Sequence, residues 1–254
     1  MDDDLRRALR AYREAPHDPD LAAELARAAS RAGDVLLALA AARGAGDDAH
    51  AEAASRLGAA LGLELVGLQP TETYRRGAQA LALVPGGVFL DEGDEAWASS
   101  LELGGSRAPL RRVELPAFLI ARWPVYARSW SEARDQARDQ GGRLPTPAEW
   151  KKAWRGGLYL DGDLSAQVRN EEPDRLRPSG IADQPRQSLE RAPVSGLVFP
   201  LFDGAGEWCS ERSRLVALAS GGRYRLPSQG VRAAGYRLVL DIGPGLASQG
   251  PSPT

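Results

Sequence analysis

The run Arg143-Leu-Pro-Thr-Pro-Ala-Glu-Trp150, continuing to Arg155-Gly-Gly157, decides how everything after Leu65 is read. Thr146 can cap a helix with its hydroxyl. Pro147 suits the first helical position, where its missing N–H would have no partner anyway. Glu149, three residues after the cap, can return a hydrogen bond to the N–H of Thr146. The spacing therefore predicts a capping box and a helix that runs through Trp150 and Trp154. Gly156-Gly157 would stop it, because a left-handed closing residue costs glycine little.

Working outward, Val84-Pro-Gly-Gly-Val-Phe89 and Val113-Glu-Leu-Pro-Ala-Phe-Leu-Ile120 lie upstream. Downstream lie Leu201-Phe-Asp-Gly-Ala-Gly-Glu-Trp208, Ser220-Gly-Gly-Arg-Tyr224 and Gly235-Tyr-Arg-Leu-Val239. Together with the 143–150 run, these elements resemble, in order, the signatures of the formylglycine-generating enzyme (sulfatase-modifying factor) family. The resemblance spans residues 84 to 239, and implies for 84–89 an opening strand with its turn and for 113–120 the strand that follows. It implies an α+β, C-type-lectin-like domain with much irregular structure, in which loops are pinned by tryptophans and arginines. Arg143, Thr146, Glu149, Trp150, Arg155, Glu207, Trp208, Arg223 and Arg237 are then expected to be structural. Arginine forks on loop carbonyls beside tryptophan faces can satisfy buried backbone groups where regular ladders are absent.

The chemistry implied by the resemblance is harder to place. The family's oxidases hold copper(I) with a pair of cysteines, and this chain has one cysteine, Cys209, and one methionine, Met1. A soft copper ion asks for thiolate or thioether ligands. The family's iron-dependent branch uses histidines, and the two here, His17 and His50, both fall in the N-terminal region at no recognisable ligand spacing. A lone cysteine behind a core tryptophan is most simply a small buried hydrophobe, and the alternative is a reactive or metal-binding thiol. The expectation is a catalytically inactive member with no cofactor. A copper-dependent oxidase or other modifying enzyme working through Cys209 is the alternative.

Two departures from the family pattern point the same way. The chain passes straight from Gly206 to Glu207, without the loop that helps relatives hold a structural calcium. Asp203 and Glu207, with Asp161, Asp163 or Asn170, are the oxygen donors left, while calcium takes about six to eight. Calcium is accordingly not expected. Ile120-Ala-Arg-Trp-Pro-Val125 also leads almost directly to Ser129-Trp-Ser-Glu-Ala-Arg134, leaving out a helix that relatives place between them.

Composition fits a folded chain long enough for two domains, with 43% hydrophobic residues and a formal net charge of −2. Lys+Arg 32 and Asp+Glu 34 nearly cancel, so overall charge calls for neither nucleic acid nor membrane. The arginines at 107, 111, 112, 122, 128, 134, 138 and 143 are interleaved with acids and read as a solvated or ion-paired surface. A single cysteine excludes an intrachain disulfide. With no signal segment and no long apolar run, a cytoplasmic setting is expected. The arginine- and alanine-rich usage fits a GC-rich bacterial genome.

Aromatic residues divide the chain more sharply than charge does. Tyr12 is the only one before Tyr74, and all six tryptophans lie between Trp97 and Trp208. Residues 1–62 read instead as a small all-α region built on alanine and leucine. Leu5, Leu9 and Tyr12 fall at helical spacing, as do Leu21, Leu25 and Ala28 after the break at Pro16-His-Asp-Pro-Asp20. Asp18 or Asp20 can cap the second helix and Gly33 end it. Asp34 begins a third helix, to Gly44, and Asp47-Asp48 open a fourth, through Leu61 to Gly62. Short loops would fold the four into helical hairpins that loosely resemble tetratricopeptide-type repeats.

Residues 63–83 read as a connector, 84–241 as the lectin-like domain and 242–254 as a flexible tail rich in glycine, proline and serine. The polar stretch 161–195 reads as a surface loop region. The favoured function is a protein- or peptide-binding or scaffolding module. It would recognise its partner through loops near 157–200 and 208–232 and through the N-terminal helices, whose plainer role is to cap their own chain.

Overall fold

The computed structural model describes residues 3–68, 71–91, 111–155, 189–191, 198–200, 205–210, 215–219, 223–225 and 232–243. It is a mixed α and β chain with an N-terminal helical region, and it divides into two units, Met1–Ala78 with Ile242–Thr254 and Gln79–Asp241. The expected stop at Gly156-Gly157, most of the 157–200 and 208–232 loops and the tail beyond Gly243 lie outside the described residues.

The first unit opens with four helices, α1 (Asp3–Glu14), α2 (Pro19–Arg31), α3 (Val35–Ala45) and α4 (Asp47–Leu61). Local chemistry sets their ends. The Asp18 carboxylate accepts from the N–H groups of Asp20 and Leu21, and Asp34 accepts from the N–H of Leu37 at 3.0 Å. Gly62 closes α4 at φ 67°, a left-handed conformation that glycine adopts without strain. Each helix packs on its chain neighbour, around Leu5, Leu25, Leu39 and Leu57 and a set of buried alanines that let the axes approach closely. Of the residues expected on the inner faces, Leu5, Leu25 and Ala28 are buried, while Leu9, Tyr12 and Leu21 are half-buried. The stretch 63–83, read as a connector, carries strands: β1 (Glu64–Gly67) and β2 (Thr73–Arg76) pair as an antiparallel hairpin, and β3 (Gln79–Val84) begins the second unit.

In the second unit β3 pairs antiparallel with β6 (Phe118–Ala121), which pairs antiparallel with β14 (Val239–Asp241). All four β6 residues are fully buried, as expected of a strand flanked on both sides. The single strand expected over 113–120 is two strands. β5 (Arg111–Leu115) pairs with β4 (Gly87–Asp91), and Pro116, which has no N–H to donate, separates it from β6. A second sheet has the order β12 (Arg223–Arg225), β11 (Leu215–Ala219), β10 (Ala205–Trp208), β13 (Arg232–Tyr236), β7 (Val125–Tyr126). Within it β10 and β13 run parallel. A further hairpin joins β8 (Leu189–Arg191) to β9 (Val198–Pro200). Only β7 lies between β6 and α5 (Trp130–Asp139), so no helix fills that interval. Ser129 caps α5 by accepting from the N–H of Glu132 at 3.2 Å.

The helix at the centre of the sequence argument is α6 (Pro147–Arg155). Thr146 accepts from the N–H of Glu149 at 3.1 Å, and Glu149 accepts from the N–H of Thr146 at 2.7 Å. The capping box is therefore closed in both directions. Immediately upstream, Arg143 bridges Val239 through N–H···O bonds of 3.0 and 2.8 Å. Gly142 makes that approach feasible, because a Cβ there would lie 2.5 Å from the carbonyl oxygen of Val239.

Candidate functional site

Three of the residues singled out by sequence, Trp150, Glu207 and Arg237, meet in one buried cluster in the second unit. Glu207, on β10, accepts from Trp150 Nε1 at 2.8 Å and from Arg237 Nε and Nη2 at 2.9 Å each. Arg237 is fully buried, and its Nη1 donates to the carbonyl oxygens of Ala121 and Arg122 at 3.1 and 2.6 Å. Thus α6, β10, the two-residue link between β13 and β14, and the end of β6 are joined through one carboxylate and one guanidinium. A buried charge pair is tolerable only when its remaining hydrogen-bonding positions are filled, and both oxygens of Glu207 are engaged here. The oxygen that would serve as a calcium donor is thereby the acceptor of the tryptophan and arginine bonds.

A second knot holds the start of α6. Arg143 makes a bidentate pair with Glu149, at 2.8 and 2.6 Å, donates to the carbonyl oxygen of Leu144 and reaches Asp241. Glu149 thereby serves the cap and the ion pair at once. Trp208 is half-buried, with Nε1 3.4 Å from the carbonyl oxygen of Ala127. Arg155 ends α6 and Arg223 begins β12, and their side chains, like all of Asp203, Asp161, Asp163 and Asn170, lie outside the described residues.

Cys209 is fully buried, in a cluster with Ala82, Val84, Phe118, Ile120, Trp150, Ala153 and Val239. Its carbonyl oxygen accepts from Trp130 Nε1 at 2.8 Å, and the N–H of Ser210 donates to Pro145 at 2.8 Å. The thiol is packed among apolar side chains with no surface open to solvent. Among the described residues no group of three or more His, Cys, Asp or Glu side chains is placed to hold a metal ion.

Two buried ionisable groups escaped the sequence reading. Lys152 on α6 has no exposed surface and donates from Nζ to the carbonyl oxygen of Gly87 at 2.9 Å. Burial pushes its pKa down to about 8, with the Glu114 charge opposing the shift. The signal was its position. Lys152 lies three residues after Glu149 and one before Ala153, on the buried face of the helix.

The other group is Glu72, in the first unit, 1% exposed. Arg43 donates Nε and Nη2 to its two oxygens at 2.6 Å each, His50 Nε2 lies 2.6 Å from Oε1, and Thr71 Oγ1 donates to Oε2 at 3.1 Å. Burial alone would raise this carboxyl. The hydrogen bonds and charge of Arg43, joined by the bond from His50, outweigh burial and hold it at about 2. Tyr74 beside it is fully buried and donates to the carbonyl oxygen of Ala54 at 3.2 Å. Burial, reinforced by the Glu72 charge, raises its hydroxyl above the usual range.

Compared with models of known protein families and with curated proteins, the chain matches none. Among the described residues no helix is long and apolar enough to cross a membrane.

Proposed function

We propose that the chain is a catalytically inactive relative of the formylglycine-generating enzyme family, a C-type-lectin-like domain that binds or scaffolds a protein or peptide partner, with the N-terminal helices as an adaptor. One observation carries this reading. The motif residues are spent on one another, Trp150 and Arg237 on Glu207 and Arg143 on Glu149, while the one cysteine is sealed in an apolar cluster. A thiol without solvent access and without a second sulfur beyond Met1 is poorly equipped to hold copper(I) or meet a substrate thiol. Arginine- and tryptophan-pinned loops are instead a rigid platform, the kind of support on which binding segments are usually carried.

The test is a competition titration of copper(I) against a chromogenic chelator on the reduced chain and on Cys209→Ser, followed by oxygen consumption with a cysteine peptide. The expected result is no stoichiometric copper in either form and no oxygen uptake. Tight binding that Cys209→Ser removes, with turnover of the peptide, would overturn the proposal in favour of a copper oxidase.

A further inference from the structure

The helical unit carries a groove of about 530 Å³, walled by Ala23, Arg27 and Arg31 on α2 and by Glu52 and Arg56 on α4, with Ala42 of α3 buried at its floor. Small side chains leave the space unfilled, and its volume falls within the range of about 300–1,000 Å³ common for ligand sites. Its charge is one-sided. Glu52 is paired with Arg56 one turn away, but among the described residues no carboxylate stands in ion-pair contact with Arg27 or Arg31. On α1 the exposed arginines are mixed in this respect: Arg6 has Asp3 and Arg7 has Asp4, while Arg10 and Arg13 have no carboxylate in ion-pair contact among the described residues.

Arg27 and Arg31 are four residues apart on one face, a spacing at which like charges disfavour the helix. The C-terminal end of α2 accounts for a cation at Arg31, since that end of a helix dipole is negative, but Arg27 lies a full turn earlier. Arg27 thus has neither the dipole nor, among the described residues, a carboxylate in ion-pair contact to offset that cost.

We propose that this groove binds a short segment of a partner protein with acids at alternate positions, its carboxylates on Arg27 and Arg31. Residues four apart on a helix lie about 6 Å apart along the axis. In an extended peptide, side chains two residues apart stand on one side at about 6.6 Å. Alternate acids therefore match the spacing of the two arginine positions along the helix. The alanine walls and floor leave room beside the arginines for the intervening side chain. A chain of net charge −2 attracts such a segment only through this local field. The inference rests on the binding-module reading and names the chemistry of the partner that the helical adaptor takes.

The experiment is fluorescence anisotropy of a labelled nonapeptide alternating Asp and Ala, titrated with the full chain. An Asn–Ala peptide and a labelled single-stranded oligonucleotide are titrated in parallel. Variants are Arg27→Gln/Arg31→Gln and, with the same change in charge away from the groove, Arg6→Gln/Arg7→Gln. The expected result is saturable, salt-sensitive binding of the acidic peptide alone, weakened about tenfold or more in the first variant and unchanged in the second, with helicity intact by circular dichroism in both. Absence of saturable binding, equal weakening in both variants, or oligonucleotide binding as tight as the peptide's would overturn the proposal. The copper titration would stand either way, so failure here is distinguishable from failure of the inactive-relative reading.

Discussion

Glu72 shows how much one buried carboxylate can be asked to hold. Its folded value of about 2 lies below the ordinary 4.5, so the stability it contributes is fully present above about pH 4.5 and is lost as pH falls toward 2. Glu72→Gln, which strips Arg43 of its counter-ion, should cost about 3 kcal/mol at neutral pH and flatten the acid limb in urea titrations repeated across that window. An unchanged acid limb would mean that Glu72 is not held in its charged form. Lys152 has the opposite sense. Its folded value of about 8 lies below 10.5, so the unfolded chain binds the extra proton between those limits and stability should rise with pH across them. Lys152→Met should remove that rise and leave the chain more stable at pH 7 by on the order of 1–2 kcal/mol. The two groups differed in legibility. Lys152 could have been placed from the period of its helix, whereas Arg43 is 29 residues from Glu72, and no local rule links a helix to a strand across that distance. The sequence singled out Trp150, Glu207 and Arg237 one by one but not as a knot, because its members are separated by 57 and 30 residues.

At the scale of elements, what could be read was what is local. The caps Asp18, Asp34 and Thr146, the reciprocal Glu149 bond and the Gly62 terminator rest on interactions within four residues, and they appear where the sequence puts them. Strand order was not readable in this way. The parallel pairing of β10 with β13 depends on partners far along the chain, whereas the break at Pro116 within 113–120 has a local cause, the missing N–H of proline. Thr146→Ala should lower the stability of the second unit by about 1 kcal/mol, the usual worth of a cap. Gly142→Ala should cost more, since a methyl group would meet the carbonyl of Val239 and open the bridge to Arg143. Comparing the two by thermal melts separates a lost cap from a lost approach, and equal effects would argue against the tight crossing.

For the whole molecule, the two units carry different spectroscopic reporters. All six tryptophans lie between Trp97 and Trp208, while α1 to α4 supply most of the described helix. Tryptophan emission therefore follows the second unit and far-ultraviolet circular dichroism mostly the first. Glu72→Gln should move the circular dichroism midpoint more than the fluorescence midpoint, and Trp150→Phe, which deletes one donor to Glu207, should move the emission transition of the remaining tryptophans more. Coincident shifts of both probes in both variants would show a single cooperative transition. The pairing of β6 with β14 also has a consequence during synthesis. Helices α1 to α4 are complete once residue 61 has emerged, but β6 and its four apolar side chains must wait for residues 239–241. At bacterial or eukaryotic translation speeds that interval is on the order of ten seconds. Throughout it the nascent second unit offers an unpaired hydrophobic edge to chaperones and to neighbouring ribosomes' products, so the yield of folded chain should depend on who reaches that edge first.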